Sequence, residues 1–298
     1  MKEFEYNGKA MGTTFSISIV SDSNELADRL AKETEGEISE YEKRFSRFLP
    51  DSELSLLNRN KNMVVSETFM KVAQKSRELF SSTKGIFNPL LQIERLGYNK
   101  DFSKLNNFGD MEMEEKYDID FSSTIIDEKS SRIILGAGQK LDFGGFLKGY
   151  LSELLCRKIK KASEKIAGVI VNIGGDIYTE GLDAEGKKFI FNIYNPITKK
   201  DDILVPVCDQ ALATSGTYKR NWKKSGLVVH HILDVSGTEN PDSDVVSSSV
   251  IHDNGGKAEA YAKVFISLGV EKAIKILADD NIKFVIIKKD GEIIKNII

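Results

Sequence analysis

Apolar and polar positions alternate from residue 13 to residue 20, ending in Thr-Phe-Ser-Ile-Ser-Ile-Val, the period of a half-buried strand. The period then lengthens. Leu26, Leu30, Ile38, Tyr41 and Phe45 share one side of a helix that Asn24 caps and that runs to about residue 45. Residues 46–52 read as a loop, followed by a short turn of helix over 54–57. A second helix spans 66–82, with Ser66 as its cap and Gly85 near its stop, and Phe87-Asn88-Pro89 then turns the chain. Residues 97–130 show no clear period. They are polar and charged, with Met111 and Met113 among acidic residues, and read as an irregular excursion.

The pattern becomes regular again at Arg132-Ile133-Ile134-Leu135, a short strand followed by a Gly136-Ala137-Gly138 turn. Residues 140–150 then open an amphipathic helix in which Leu151, Leu154, Leu155 and Ile159 recur at helical spacing, with Glu153, Arg157, Lys158 and Lys161 between them. Its glycine-rich start admits two readings. Free backbone N–H groups, the helix dipole and Lys148 suit an anion such as phosphate. Glycines also let a helix pack closely on a sheet. Beyond it, residues 168–173 form an apolar run that ends in Gly174-Gly175-Asp176, read as a buried strand with a glycine kink, and 177–180 continues extended. Strands follow at 188–194, at 203–207 (an edge strand, because of Pro206), at 227–233 and at 245–251. Helices follow over 257–268, closed by Gly269, and over 271–278. A terminal hairpin pairs 284–287 with 293–298 around Asp290-Gly291. Strands joined by short turns, without a strand–helix–strand repeat, favour an α+β fold with mainly antiparallel sheet.

Composition adds bounds. A chain of 298 residues allows one large domain or two intimate ones. A net charge of −3 gives no reason to expect nucleic acid as a partner. No stretch is long enough to span a bilayer. The first six residues contain neither an apolar leader core nor a lipid-attachment cysteine, so the expectation is a cytoplasmic protein, or an exported one whose leader has been removed. Cys156 and Cys208 lack metal-ligand spacing; Cys156 reads as a small core residue, and pairing between the two is left open.

Four polar, glycine-containing segments, at 142–150, 172–176, 213–217 and 230–237, each fall at a strand end or helix start. Together they could cradle a phosphate-bearing ligand. Thr214, Ser215 and Thr217 offer hydroxyls and Gly216 allows close backbone approach, although Thr-Ser-Gly-Thr also reads as an ordinary turn. His230 and His231 are adjacent on the strand over 227–233, so they face opposite sides and do not easily ligate one metal. No P-loop, zinc-protease motif or Ser/His/Asp triad is present.

Taken in order, Met11-Gly12-Thr13, Asp51-Ser52-Glu53-Leu54-Ser55-Leu56-Leu57-Asn58, Gly85-Ile86-Phe87-Asn88-Pro89, Leu141-Asp142-Phe143-Gly144-Gly145-Phe146-Leu147-Lys148-Gly149-Tyr150, Val171-Asn172-Ile173-Gly174-Gly175-Asp176, Ala213-Thr214-Ser215-Gly216 and His230-His231-Ile232-Leu233-Asp234 resemble the FAD:protein FMN transferase (ApbE) family. The resemblance runs from Met11 to the helix near residue 269. It implies a single flavin transferase-like domain over 1–298, α+β and T-fold-related, with two intimate lobes around a cofactor cleft. It also implies an enzyme that splits FAD at its pyrophosphate and joins FMN to a Thr or Ser of an acceptor protein, with magnesium assisting. The matching positions place Met11 and Phe48 at the flavin and Gly144 and Tyr150 beside the cofactor. Ser215 and Gly216 match the phosphate-side loop, and Lys148, Asp176 and Thr214 are further cofactor-binding candidates. His231, Ile232 and Asp234 match a His-Ile-Ile-Asp segment in which His231 is the candidate for proton handling or pyrophosphate contact, with Asp234 and Lys263 as further catalytic candidates.

The departures are specific. Phe48 stands where the family often has Tyr, and Asp234-Val235-Ser236-Gly237 replaces Asp-Pro-x-x-Gly. The family metal is held by a backbone carbonyl, here that of Leu147, and by an Asp and a Thr of an Ala-Asp-Ala-x-x-Thr helix start. That start reads Ala258-Glu259-Ala260-Tyr261-Ala262-Lys263 here. Glu259 keeps a carboxylate, whereas a protonated Lys263 has no lone pair to offer a cation. Either Lys263 supplies the positive charge itself, or it points to solvent and Leu147 and Glu259 still hold a metal. The function is then an FMN transferase-type enzyme or, alternatively, an FAD-binding module with a decayed metal site and little turnover.

Overall fold

The alternating stretches become strands and the longer periods helices in a computed structural model that describes residues 1–96, 118–224 and 227–297. In chain order the elements are β1 (Lys2–Ala10), β2 (Thr13–Ser21), α1 (Asn24–Phe45), α2 (Glu53–Asn60), β3 (Asn62–Val64), α3 (Glu67–Ser82), β4 (Ile125–Asp127), β5 (Arg132–Ile134), α4 (Leu147–Lys161), β6 (Ile166–Ile173) and β7 (Asp176–Gly181). There follow β8 (Phe189–Asn195), β9 (Lys200–Val207), β10 (Ala211–Gly216), β11 (Asn221–Lys224), β12 (Leu227–His230), β13 (Val245–His252), α5 (Gly255–Leu268), α6 (Val270–Ile276), β14 (Lys283–Lys288) and β15 (Ile293–Lys295). One sheet holds eight strands in the order β1-β2-β6-β7-β10-β13-β14-β15, and its pairings are antiparallel. The fold is therefore α+β with mainly antiparallel sheet, as the short inter-strand turns imply.

Several elements differ from the sequence reading, for local reasons. β1 has no counterpart in it: this edge strand fixes Phe4, Tyr6 and Ala10 against the core and leaves Lys2, Glu3 and Glu5 in water. It turns into β2 through Met11 and Gly12, at φ 54° and 67°, which pairs Ala10 with Thr13. α1 is capped by Ser23, whose hydroxyl accepts from the Leu26 N–H at 3.3 Å, because the Asn24 side chain donates to Asp28 instead. Gly174 and Gly175, at φ 67° and 99°, form a two-residue hairpin turn, not a kink, so β7 runs back along β6 with Ile173 opposite Asp176. The helix expected from residue 140 begins at Leu147, and Leu154 on it is 40% exposed. Residues 97–117 of the expected excursion lie outside the described residues. From 118 onward the chain is packed, with Phe121 in the core and β4 paired to β5. No helix among the described residues is long and apolar enough to cross a membrane. Cys156 and Cys208 are both free, and Cys156 is buried.

Other expectations hold. Ser66 caps α3 by accepting from the Phe69 N–H at 3.2 Å. Pro206 lies in the two-stranded ribbon β8–β9, where both strands are edges. Asp290 and Gly291 turn β14 into β15.

The sheet is covered on both faces. α1, α4 and α5 lie over one, burying Ile17, Ile19, Val169, Val171, Ala211, Ala213 and Val250 among Leu30, Ile38, Leu151, Leu155, Ala260 and Val264. Each such aliphatic side chain contributes about 1.5–3 kcal/mol on full burial. The ribbon β8–β9 covers the other face around Leu212, Ile251, Val285 and Ile287. α5 is apolar nearly all round because it runs inside the molecule, with β10 and β13 on one side and α3 and α4 on others.

α4 and α5 touch backbone to backbone. A Cβ on Gly149 would lie 2.3 Å from the Gly255 carbonyl oxygen, and one on Gly255 would lie 2.1 Å from the Gly149 carbonyl oxygen. Only glycine fits at either position without separating the helices. Gly149→Ala is expected to lower the unfolding free energy by about 1–3 kcal/mol through overpacking. Gly36→Ala, on α1 where a Cβ meets nothing within 4 Å, is expected to raise it by about 0.5–1 kcal/mol. Urea unfolding of both variants checks the pair; equal midpoints would mean that the helices can part at no cost.

Candidate functional site

The contact between Gly149 and Gly255 decides what lies beside it. Lys148, one residue before Gly149 on α4, is brought against Glu259, one turn beyond Gly255 on α5. The Lys148 ammonium donates to Glu259 Oε1 at 2.6 Å and also pairs with Asp176, which opens β7 just after the Gly174-Gly175 turn. Glu259 Oε1 accepts a second ammonium, Lys263 Nζ, at 3.1 Å, while Oε2 accepts the Gly149 N–H at 2.9 Å. Both carboxylates are buried, the Glu259 side chain at 1% exposure and that of Asp176 at 6%. Burial alone would push the Glu259 carboxyl up, but Lys148, Lys263 and the Gly149 N–H overcome it and hold it at about 2. Burial also acts against the Lys148 cation, and the two carboxylates reverse that effect, so its pKa rises. Asp176 goes the other way: burial and the Glu259 charge raise it against the pull of Lys148 and Lys263. Of the two, Glu259 with its three donors carries the firmer charge.

In front of this quartet lies a cavity of about 570 Å³. Lys148 and Lys263 line it; Asp176 and Glu259 stay behind them. One wall is the end of α1 and the following loop, with Phe45, Arg47, Phe48 and Leu49. Arg47 pairs with Asp142 at 3.5 Å, and its guanidinium carbon lies 4.5 Å from the centre of the Phe48 ring. A second wall is Ile86, Phe87, Asn88, Leu91 and Ile93, followed by Asp142, Gly144 and Gly145. Side-chain clasps hold these loops together. Asn58 donates to the Leu141 carbonyl at 2.8 Å and accepts its N–H at 2.7 Å. The Asp142 N–H bonds the Pro89 carbonyl at 2.8 Å, and Asp142 Oδ1 accepts the Gly144 N–H at 2.8 Å. Phe143 and Phe146 anchor the turn in an aromatic cluster with Phe45, Phe69 and Phe87.

The third wall carries Arg220, His231, Ile232 and Leu233. β11 and β12 bring it over the cleft, with Trp222 and Leu233 packed on Leu91 and Ile93. The expected strand over 227–233 ends at His230 because Asn240 stops it. Its amide donates to the His230 carbonyl at 2.7 Å and the Ile232 carbonyl at 2.6 Å, and accepts the His230 N–H at 2.8 Å. The bend turns His231 into the cavity and leaves His230 out of it. His231 Nδ1 is buried without a hydrogen-bond partner among the described residues. Burial, then the charges of Arg220 and Lys263, pull its pKa from 6.5 to about 3, so the imidazole is neutral at ordinary pH.

The cavity thus gathers Met11, Phe48, Gly144, Leu147, Lys148, His231, Ile232 and Lys263 of the residues singled out by sequence. Asp176 and Glu259 support it from behind. Tyr150 faces away, packed on Phe146. Asp234 shapes its own loop, where Oδ1 accepts the Ser236 hydroxyl at 2.7 Å. The segment 213–216 is a central strand, not a loop. Thr214 bonds Ser249 at 2.8 Å, on the face covered by the ribbon, and Gly216 accommodates the Tyr218 ring, which a Cβ would meet at 2.4 Å. Ser215 is buried on the face shared with α5. Sequence reasoning missed Arg47, Arg220 and Asn240. Nothing in their local sequence distinguishes them from ordinary surface polar residues.

A magnesium ion held by Leu147 and Glu259 does not fit these residues. Both oxygens of Glu259 are engaged, three donors in all, and two of those donors are ammonium groups. A dication 4 Å from one ammonium would be repelled by about 8 kcal/mol at an effective dielectric near 20, which cancels its attraction to one carboxylate at the same distance. Among the described residues no three His, Cys, Asp or Glu side chains are grouped to hold a metal.

Comparison with known proteins agrees with the arrangement of elements. The model of the ApbE family matches residues 11–286. The FAD:protein FMN transferase of Salmonella typhimurium is 22% identical over 304 residues, 96% of this chain and 84% of that protein. Among solved structures, the ApbE protein of Thermotoga maritima is 21% identical, with a TM-score of 0.87 over 99% of this chain and 97% of that one. The apo flavinyl transferase ApbE of Pseudomonas stutzeri is 18% identical, with a TM-score of 0.82 over 99% and 94%.

The buried imidazole has a consequence for stability. The unfolded chain takes up a proton at His231 near pH 6.5, the folded chain only near 3. In that window the unfolded state binds more protons, so this contribution is complete above 6.5 and declines as pH falls, by up to about 1.4 kcal/mol per pH unit. His230, lowered to about 4 by burial and then by Lys289, acts with the same sign. Urea midpoints of His231→Gln are expected to fall less steeply with acidification than those of the parent. Parallel curves would show that the folded protein protonates His231 as readily as the unfolded chain.

Proposed function

This chain belongs to the ApbE family, and from that premise we propose that it binds FAD in the cavity and transfers its FMN part to a Thr or Ser of an acceptor protein. The observation that carries the reading is one cavity that joins an aromatic and apolar lining, with Phe48, Phe87 and Met11, to the cations Arg47, Lys148, Arg220 and Lys263. Isoalloxazine suits the first and a pyrophosphate the second.

In this mechanism the acceptor hydroxyl oxygen attacks the phosphorus on the FMN side of the pyrophosphate. A new P–O bond forms, the bond from that phosphorus to the bridging oxygen breaks, and AMP leaves with that oxygen. The cations hold the phosphate oxygens and oppose the charge that gathers on the leaving group. Neutral His231 takes the hydroxyl proton: it stands on the cavity wall, its Nδ1 has no hydrogen-bond partner among the described residues, and an anionic pyrophosphate beside it would raise its pKa from the low value that burial, Arg220 and Lys263 impose. With water in place of the acceptor, the same steps give FMN and AMP.

The saturation of Glu259 by its own donors favours a second reading, an FAD-holding protein with little turnover. Incubation with FAD and an acceptor bearing the Thr or Ser site separates the two. Transfer yields one AMP per FMN attached, and His231→Ala is expected to slow it about 10²–10⁴-fold while FAD still binds. Bound FAD with neither AMP nor attached FMN would establish the holding role. Absence of FAD binding would refute both.

A further inference from the structure

The ionic quartet is asymmetric. Its two carboxylates are buried and its two ammonium groups face the cavity, with Lys148 and Lys263 side chains 16% and 22% exposed. Lys148 directs two of its three N–H donors to Asp176 and Glu259. Lys263 directs one to Glu259 Oε1 at 3.1 Å and makes only a long contact to the Glu259 carbonyl at 3.4 Å. Each ammonium therefore keeps a donor for a ligand on the cavity side, and each is held in place from behind by a carboxylate it shares with the other.

We propose that Lys148 and Lys263 together form a metal-free seat for the pyrophosphate of the bound dinucleotide. Lys263 supplies there the positive charge that a divalent cation would otherwise bring. The inference rests on the FAD reading above and adds that binding does not require magnesium.

Three observations converge on it. The ammonium groups are fixed before a ligand arrives: Lys148 bridges two elements, α4 to β7 and α5, and Lys263 lies one turn beyond its partner on α5. A divalent cation would have to displace one of them from Glu259 and remain beside the other. Finally, Arg220 and His231 complete the cationic and proton-accepting rim, and the Asp142 carboxylate on the cavity wall is paired with Arg47 at 3.5 Å.

Calorimetric titration of FAD, in EDTA and in magnesium, tests the proposal on the parent and on Lys263→Thr. The parent is expected to bind FAD equally well in both. Lys263→Thr is expected to bind at least about tenfold more weakly in EDTA, through loss of a charge-assisted hydrogen bond. Parent binding that needs magnesium overturns the proposal and leaves the transferase reading intact, and this arm requires no variant. A folded Lys263→Thr that matches the parent in EDTA also overturns it. Failure of the parent to bind FAD under either condition overturns the FAD reading itself.

Discussion

Two helices in this molecule approach until their backbones touch, at Gly149 and Gly255, and the site depends on that distance. A single methyl group at either position would meet a carbonyl oxygen at little over 2 Å, so α4 and α5 would have to separate. Glu259 would then move away from both the Gly149 N–H and Lys148, which it now bonds at 2.9 and 2.6 Å. Buried ion pairs contribute little net stability, since desolvation offsets their attraction, yet removing one member leaves a buried charge unpaired. The quartet of Lys148, Asp176, Glu259 and Lys263 is therefore better understood as a device of position. It fixes two cations at a cavity wall while keeping their counter-charges out of the cavity.

The rest of the site is assembled from loops, and polar side chains reaching across long stretches of sequence hold those loops. Asn58 closes a two-bond clasp on Leu141, Asp142 joins Arg47 to the turn before α4, and Asn240 ends β12 so that His231 turns inward. Aromatic rings lock the same turn from below, with Phe143 and Phe146 among Phe45, Phe69 and Phe87. Loops tied down at both ends can present backbone and side chains to a ligand with little further loss of conformational freedom.

Membership of the ApbE family and the departure at Lys263 fit one picture. On the proposal above, what differs is the source of positive charge near the phosphates. The buried carboxylate at 259 accepts two ammonium groups, those of Lys148 and Lys263. A neutral His231 beside Arg220 and Lys263 suits the same chemistry, because a protonated imidazole there would add a third cation at the cost of its ability to accept a proton.

The sequence by itself determined what depends on short range. Alternation gave β2, helical spacing gave α1 and α3, Ser66 gave a cap, and Asp290-Gly291 gave the terminal hairpin, because each follows from backbone geometry and the burial of nearby side chains. The order of its motifs also marked the family and drew attention to Lys148, His231, Glu259 and Lys263. Only the tertiary structure decided which of these meet. It placed Asp176 and Glu259 behind the lysines, put Thr214 and Gly216 in a central strand away from the cavity, and gave Asp234 to a turn. It also brought in Arg47, Arg220 and Asn240, which no local pattern distinguishes. The physical reason is that a hydrogen bond or ion pair between residues 83 or 111 positions apart leaves no trace in the local period of either segment. The second of these, between Lys148 and Glu259, exists only once two helices have packed to the distance that a pair of glycines permits.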